Sequence, residues 1–293
     1  ALEGAREGTI LDGTLGGGGH TGAMLGRWPL CRVIGVDRDP EAIARARAEL
    51  AQHLDRVRIL QMRFDQAMDD AGIKKGGLDG ALLDLGVSSW QLDANQRGFA
   101  FRKGLTLDMR MGGQESGPSA ADILNSEAEA ELARIFREYG EEPKARRLAR
   151  EIVRRRGDRP LRTSDDLVAA LARATGRPPR PQGMARVFQA LRIAVNQELS
   201  VLAETLPAIR KALKARGVLA VISYHSLEDR IVKRSFREWS LDCICPPGLP
   251  VCVCDHRALG TPLFRKSKQP TEEEIARNSR ARSARLRAWR KAA

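Results

Sequence analysis

The sequence predicts an α/β fold: a parallel sheet carrying an all-helical domain inserted after its fourth strand. Three observations carry this reading. A short apolar run, residues 9–12, leads straight into a glycine-rich turn and then a helix-like stretch. Further apolar runs end in acids, at Asp37 and Asp84 as at Asp12, and alternate with helical patterns, the sign of strand–helix–strand units. From about residue 120 to 176 the period changes to short amphipathic helices with no strand between them.

The first element is Thr9-Ile-Leu-Asp12 followed by Gly13, Gly16, Gly17, Gly18, Gly19 and Gly22. Glycine tolerates positive φ and lets the backbone approach a ligand closely. A strand that turns sharply into a helix N-terminus presents free N–H groups at the carboxyl edge of the sheet, the place for a nucleotide or nucleoside. Gly17-x-Gly19-x-x-Gly22 also fits the dinucleotide fingerprint, a motif weak by itself. Residues 32–37 read as a second buried strand, and Asp37 at its tip is placed to accept hydrogen bonds from ribose hydroxyls. Pro40 then opens a helix running to about residue 52. Residues 57–64 alternate as a third strand ending at Phe64, a ring able to pack on a flat adenine or simply on the core. Residues 78–84 form the fourth.

Asp12, Asp37 and Asp84 should therefore cluster at one edge of the sheet. Such a cluster repels a dinucleotide pyrophosphate and attracts a cation. S-adenosylmethionine carries a sulfonium, so the acids favour methyl transfer over hydride transfer.

Residues 90–111 have glycine and charge but no long period, and read as a loop at the active edge. In the helical block, Ser126-x-x-Glu129 reads as a capping box, with Leu132, Ile135, Phe136 and Tyr139 on one face. The next helix carries Leu148 and Ile152 inward and Arg146, Arg147, Arg150, Arg154 and Arg155 around the rest. Thr163-x-x-Asp166 caps a third, ending at Gly176. A Pro-stiffened connector precedes a long helix with Phe188, Leu191, Val195, Leu199, Leu202 and Leu206 in register, broken or restarted at Pro207. Residues 218–223 form a fifth strand, with Tyr224-His-Ser-Leu-Glu-Asp-Arg230 at its tip. Tyr224 and His225 are substrate-side candidates; Ser226 with Glu228 and Asp229 also reads as a capped helix start. From Arg265 the chain carries ten Lys or Arg against three Glu and reads as a flexible phosphate-binding tail. The expected organisation is a first core segment at 1–112, a helical domain at 113–190, a second core segment at 191–264 and the tail at 265–293.

The bulk numbers agree with a globular, polyanion-binding chain. There are 293 residues, 42% hydrophobic, with 50 Lys plus Arg against 37 Asp plus Glu, a net +13. Aromatic residues are only 4%, which argues against a stacking platform. No apolar run is long enough to span a membrane and no signal peptide opens the sequence, so a cytoplasmic protein is expected. Of five cysteines, Cys243, Cys245, Cys252 and Cys254 form two Cys-x-Cys pairs around Pro246 and Pro247. Zinc sites more often use Cys-x-x-Cys, so a Pro-stiffened loop with no metal is the expectation here.

Taken together, Asp12-Gly-Thr-Leu-Gly-Gly-Gly-Gly-His20, Gly35-Val-Asp-Arg-Asp-Pro40, Leu83-Asp-Leu-Gly-Val-Ser-Ser89, Gln91-Leu-Asp93, Arg97-Gly-Phe99, Leu107-Asp-Met-Arg-Met111, Tyr139-Gly-Glu141, Phe188-Gln-Ala-Leu-Arg-Ile193 and Tyr224-His-Ser-Leu-Glu-Asp-Arg-Ile-Val-Lys233 resemble the RsmH (MraW) family of 16S rRNA cytosine-N4 methyltransferases. The resemblance runs from the first strand to the tail. It implies a class I (Rossmann-like) methyltransferase sheet with an inserted helical domain, S-adenosylmethionine as cofactor, and methylation of a cytidine N4 amine in the decoding region of 16S rRNA. It implies rRNA within the small ribosomal subunit as partner, and allows a homodimer. Carried over by position, Gly18, Gly19 and His20 meet the methionine end of the cofactor, Asp37 holds the ribose, and Phe64, Asp84 and Gln91 complete the pocket. The family usually carries a His-x-Pro-Val-Leu segment before the first strand; this sequence starts at Ala1-Leu-Glu-Gly4.

Many amino-methyltransferases clamp the amine with an Asn/Asp-Pro-Pro-Tyr turn after strand four. Here that position reads Asp84-Leu-Gly-Val87, without the prolines or the aromatic. Asp84 or a backbone carbonyl after it is therefore expected to accept the amine hydrogen, with Tyr224 or His225 placing the base. Two other classes fit parts of the pattern. One is a nicotinamide-dependent oxidoreductase on the same glycine loop; the other is a non-catalytic RNA-binding module.

Overall fold

The computed structural model describes residues 1–70, 72–88, 90–91, 97–246 and 251–293. Of the motif positions quoted above, Ser89, Leu92, Asp93 and Pro247 lie outside the described residues. The chain divides into two compact units: residues 1–86 with 199–293, and residues 87–198.

The first unit is built on seven strands: β1 (Thr9–Asp12), β2 (Arg32–Asp37), β3 (Val57–Gln61), β4 (Leu78–Asp84), β5 (Leu213–Ser223), β6 (Gly260–Pro262) and β7 (Arg285–Lys291). Their order in the sheet is β3-β2-β1-β4-β5-β7-β6. β1 to β5 run parallel, while β7 is antiparallel to both β5 and β6. The order reverses between β1 and β4, so a crevice opens outside their carboxyl ends, where ligands bind in open α/β sheets. Helices α1 (Gly19–Arg27), α2 (Pro40–Glu49) and α3 (Ala67–Asp70) fall among the first strands; α9 (Glu198–Ala212), α10 (Ser226–Glu238) and α11 (Glu272–Arg277) fall in the second half.

Strand alternation fills both sheet faces, as parallel strands require. Ile10, Val33, Leu82 and Ala220 pack with Leu25, Ala46 and Leu50 of the α1–α2 side. Leu11, Leu83, Leu219 and Val221 point the other way, onto Leu202, Leu206, Ile209 and Phe236.

The C-terminal segment differs from the sequence expectation. Residues 285–291 are not a free basic tail but a strand inside the sheet, paired from Ser223↔Arg285 to Val218↔Arg290. The reason is a two-residue alternation hidden among the basic side chains. Ala288 and Trp289 are buried on opposite faces, Trp289 completely, against Phe236 and Trp239. Arg287 is committed to Asp229 through two bonds of 2.7 and 3.0 Å.

The second unit has its own core, which includes Leu124, Leu132, Phe136, Leu148, Ile152, Leu171, Phe188 and Leu191. Its helices are α4 (Ala120–Ser126), α5 (Glu129–Glu138), α6 (Ala145–Asp158), α7 (Ser164–Thr175) and α8 (Pro181–Asn196). The Thr163/Asp166 capping box forms as expected, and Gly176 closes α7 at φ 72°. The Ser126/Glu129 box does not. Ser126 is the last residue of α4 and its hydroxyl donates to the Asp122 carbonyl at 2.7 Å; the box in this region is Ser119/Asp122. The long helix breaks at Gln197, at φ 53°, rather than at Pro207, which sits inside α9.

The units part at 86/87 and 198/199, against the 112/113 and 190/191 expected from sequence. Residues 97–111 belong to the helical unit, because Phe99, Leu107, Met109 and Met111 are in its core. Asn196 ties them down: its amide donates to the Met109 carbonyl at 2.7 Å and accepts from the Met111 N–H at 3.0 Å. Arg97 donates to the carbonyls of Arg110 and Met111. No helix among the described residues is long and apolar enough to cross a membrane.

Candidate active site

The glycine loop after β1 is folded by its neighbours. Gly16 and Gly18 take positive φ, 53° and 88°, and Gly18 is the residue before α1. Gly13 is required by packing, since a Cβ there would stand 2.5 Å from Leu83 Cδ2 and 3.3 Å from Phe64 Cβ. Phe64 is thereby placed beside the loop, half-buried against the core. Gly17 and Gly19 differ. Neither has positive φ, and a Cβ on either would meet nothing within 4 Å. Nothing in the protein requires glycine at these two exposed positions, so the open space beside them suits a close-lying ligand.

Asp37 holds this loop. Its Oδ2 accepts from the Gly16 N–H and its Oδ1 from the Asp39 N–H, both at 2.8 Å. Burial pushes its carboxyl above the usual range, and the two backbone N–H groups oppose that rise. Each oxygen retains a lone pair for a hydroxyl donor.

Asp12 is nearly inaccessible, 1% exposed, so it acts on the ligand edge through charge rather than contact. Thr21 donates to it at 2.7 Å and the Thr14 N–H at 3.3 Å. Burial pushes it up to about 6, against the Thr21 hydrogen bond and nearby His20. Ionising a group whose folded pKa is raised costs stability, and the cost grows as pH climbs from the unfolded value through 6. Asp12→Asn should therefore gain on the parent by up to about 3 kcal/mol between pH 4 and pH 7. Urea unfolding at both pH values measures this; an equal difference at the two would refute it.

Asp84, at the carboxyl end of β4, joins three elements. Its N–H donates to Thr14 Oγ1 at 2.6 Å, which locks the strand tip to the glycine loop. Its Oδ1 accepts from the Tyr224 hydroxyl at 3.0 Å, and its Oδ2 lies 3.3 Å from His20 Nε2. Tyr224 follows β5 directly and is half-buried. Burial, then the Asp84 charge, pushes its hydroxyl well above the ordinary phenol value, so it stays protonated and donates. His20, half-exposed at the start of α1, is raised by its hydrogen bond to Asp84. One carboxylate is thus oriented by two donors from either side, with lone pairs left on both oxygens.

His225 has a structural task. It, not Ser226, is the N-cap of α10, its Nδ1 accepting from the Glu228 N–H at 3.4 Å. Glu228, 2% exposed, returns bonds to the N–H groups of Tyr224 (2.9 Å) and His225 (3.3 Å). This brace fixes the backbone that carries Tyr224. Gln91 belongs to the helical unit, where its Oε1 accepts from the Ser88 N–H at 3.0 Å.

The structure therefore gathers Asp84, His20 and Tyr224 into one cluster and sets Asp37 under the glycine loop. It assigns His225 to a cap. Thr14, Thr21 and Glu228 were missed as positioning residues. Glu228 had a signal, as an acid in the first turn after the candidate cap Ser226; the two threonines had none beyond their place near the loop.

Residues 1–292 match the family model described as the MraW methylase family. The chain is 52% identical over 287 residues to "Ribosomal RNA small subunit methyltransferase H" of Gemmatimonas aurantiaca, covering 97% of this chain and 90% of that protein. It is 48% identical over 295 residues to the protein of the same name from Heliobacterium modesticaldum, covering 97% and 93%. The Heliobacterium mobile protein of that name is 46% identical, covering 99% and 95%.

Proposed function

The chain belongs to the MraW methylase family, and from that premise we propose that it methylates the exocyclic N4 amine of a cytidine in the decoding region of 16S rRNA, within the small ribosomal subunit. It is an S-adenosylmethionine-dependent rRNA methyltransferase on a Rossmann-like sheet. The observation that carries the finer reading is the Asp84 carboxylate set between His20 and Tyr224 at the sheet's switch point.

The residues present fit the cofactor: open space beside Gly17 and Gly19, and a carboxylate with free lone pairs at Asp37. S-adenosylmethionine supplies a methyl group made electrophilic by its sulfonium. Gly18, Gly19 and His20 would lie along its methionine end, Asp37 at the ribose, and Phe64 against the remainder of the molecule. The acidic side chain of Asp84 favours the positive charge of the sulfonium. The cytosine amine is a weak nucleophile because its lone pair is delocalised into the ring. Asp84 accepts a hydrogen bond from that amine as it pyramidalises, then its proton. Tyr224 and His20 hold the carboxylate in one orientation, so no reorganisation is needed at the moment of reaction. The base must be unstacked to enter. The helical unit grips the surrounding phosphates, with exposed Arg146 and Arg147 of α6 having no ion-pair partner among the described residues.

The two glycines separate folding from binding. Gly18→Ala forces a side chain into the left-handed region and should cost about 1–2 kcal/mol in denaturant unfolding. Gly19→Ala should stay within about 0.5 kcal/mol of the parent yet weaken cofactor binding by about tenfold or more in calorimetry. Unchanged cofactor affinity in Gly19→Ala would remove the glycine loop from the pocket.

The substrate reading is tested by transfer of labelled methyl to three acceptors lacking the modification: assembled small subunits, naked 16S rRNA and large-subunit rRNA. Label in the first and not the last supports it; equal labelling of all three refutes it.

A further inference from the structure

The loop joining α10 to β6 is long and closed at its neck. The Leu259 N–H donates to the Trp239 carbonyl at 2.8 Å, and the Ala258 N–H to Asp242 Oδ1 at 3.4 Å. Between them none of the described apolar side chains is buried; Ile244, Val251 and Val253 are 59%, 70% and 75% exposed. A loop of this length whose described residues form no core of their own needs another source of order.

Its four cysteines converge. Their sulfurs all lie within 4.8 Å of one another. Cys252 Sγ is 3.5 Å from Cys243 and from Cys254 and 4.0 Å from Cys245; Cys254 and Cys243 are 3.7 Å apart. These are free thiols, not disulfides. Four sulfurs around one tetrahedral zinc, each bond about 2.3 Å, stand about 3.8 Å apart. The observed spacing is that of a tetrahedral four-sulfur shell.

The backbone around them has the same design. The middle residue of each Cys-x-Cys pair donates its N–H to the second cysteine of the other pair: Ile244 to Cys254 and Val253 to Cys245, each at 3.4 Å. The Cys245 N–H turns back to Cys243 Sγ at 3.4 Å, and the His256 N–H likewise to Cys254. N–H groups aimed at sulfur are the outer-shell partners that stabilise metal-bound thiolates. Two Cys-x-Cys turns related in this reciprocal way do what Cys-x-x-Cys turns do elsewhere, which the spacing alone did not suggest.

We propose that Cys243, Cys245, Cys252 and Cys254 form a structural zinc site that staples the loop between α10 and β6. An all-thiolate tetrahedral set suits zinc among the common divalent cations, and with four protein ligands no position is left for substrate or water. Each thiol gives up its proton as the metal binds, so four protons leave for one Zn²⁺.

The test uses the full chain, purified with reductant, loaded with zinc and desalted. Mass spectrometry for metals should find about one zinc per chain. Cobalt in its place should give the intense d–d and sulfur-to-metal bands of a tetrahedral thiolate site. Cys243→Ser with Cys252→Ser should lose zinc at least tenfold, while Cys31→Ala retains it. The cobalt spectrum of the parent needs no variant to fold. Absence of both zinc and the tetrahedral cobalt spectrum in the reduced parent would overturn the proposal. So would zinc retained in the double variant, or disulfides among these cysteines in protein alkylated directly from cells.

Discussion

Asp84→Asn is expected to lower kcat by about 10²- to 10⁴-fold, the range for losing a positioned proton acceptor. The substitution keeps the shape of the side chain but removes the charge and one acceptor. Both donors that orient Asp84 then face a group that can accept from only one of them through its oxygen. The loss should fall on kcat more than on cofactor affinity, because the proton is accepted only as the amine reacts. Tyr224→Phe deletes the 3.0 Å bond without touching the carboxylate and should cost less, about tenfold. His225→Ala should act through stability instead, by removing a helix cap worth about 1 kcal/mol. Single-turnover methyl transfer at saturating cofactor separates these outcomes. Normal turnover in Asp84→Asn would remove Asp84 from the chemistry.

Trp289→Ala is expected to destabilise the chain by about 3–5 kcal/mol, the cost of emptying a large core site. Trp289 is fully buried between Phe236 and Trp239, and its indole N–H donates to Ser240 Oγ at 3.0 Å. Arg290→Ala, one residue further and exposed, should change stability by no more than about 0.5 kcal/mol. Urea titration of the two variants reads the contrast directly. A mobile basic tail would show small, similar effects at both positions. Leaving Asp229 without Arg287 should also be costly, because a largely buried carboxylate would lose its bidentate partner.

What could be read from sequence follows from the range of the forces involved. The strands ending at Asp12, Asp37 and Asp84 were legible because parallel strands are apolar on both faces and stop abruptly. The loop glycines were legible as a group, but not their separate duties: Gly13 answers to Leu83, a residue far along the chain, and Gly19 to empty space. The C-terminal strand was hidden because its basic residues dominate the composition, while the deciding fact, Trp289 against Phe236 and Trp239, is tertiary. The role of residues 97–111 was hidden for the same reason. Their apolar side chains follow no period, and the bonds from Asn196 that order them span more than eighty positions. His225 reads in sequence as a substrate-side candidate, with Ser226 as the cap; the 3.4 Å bond from the Glu228 N–H makes His225 itself the cap. The cysteine cluster was legible in composition and misleading in spacing, because sulfur convergence depends on backbone turns that spacing does not encode.

The measurement that tests this account most directly is the identity of the methylated nucleoside. Small subunits lacking the modification would be incubated with the chain and labelled S-adenosylmethionine, and their 16S rRNA digested to nucleosides and separated. Label in N4-methylcytidine, abolished by Asp84→Asn, is the predicted result. Label in a carbon-methylated cytidine or a ribose-methylated nucleoside would contradict it, because neither product requires an acceptor for an amine proton.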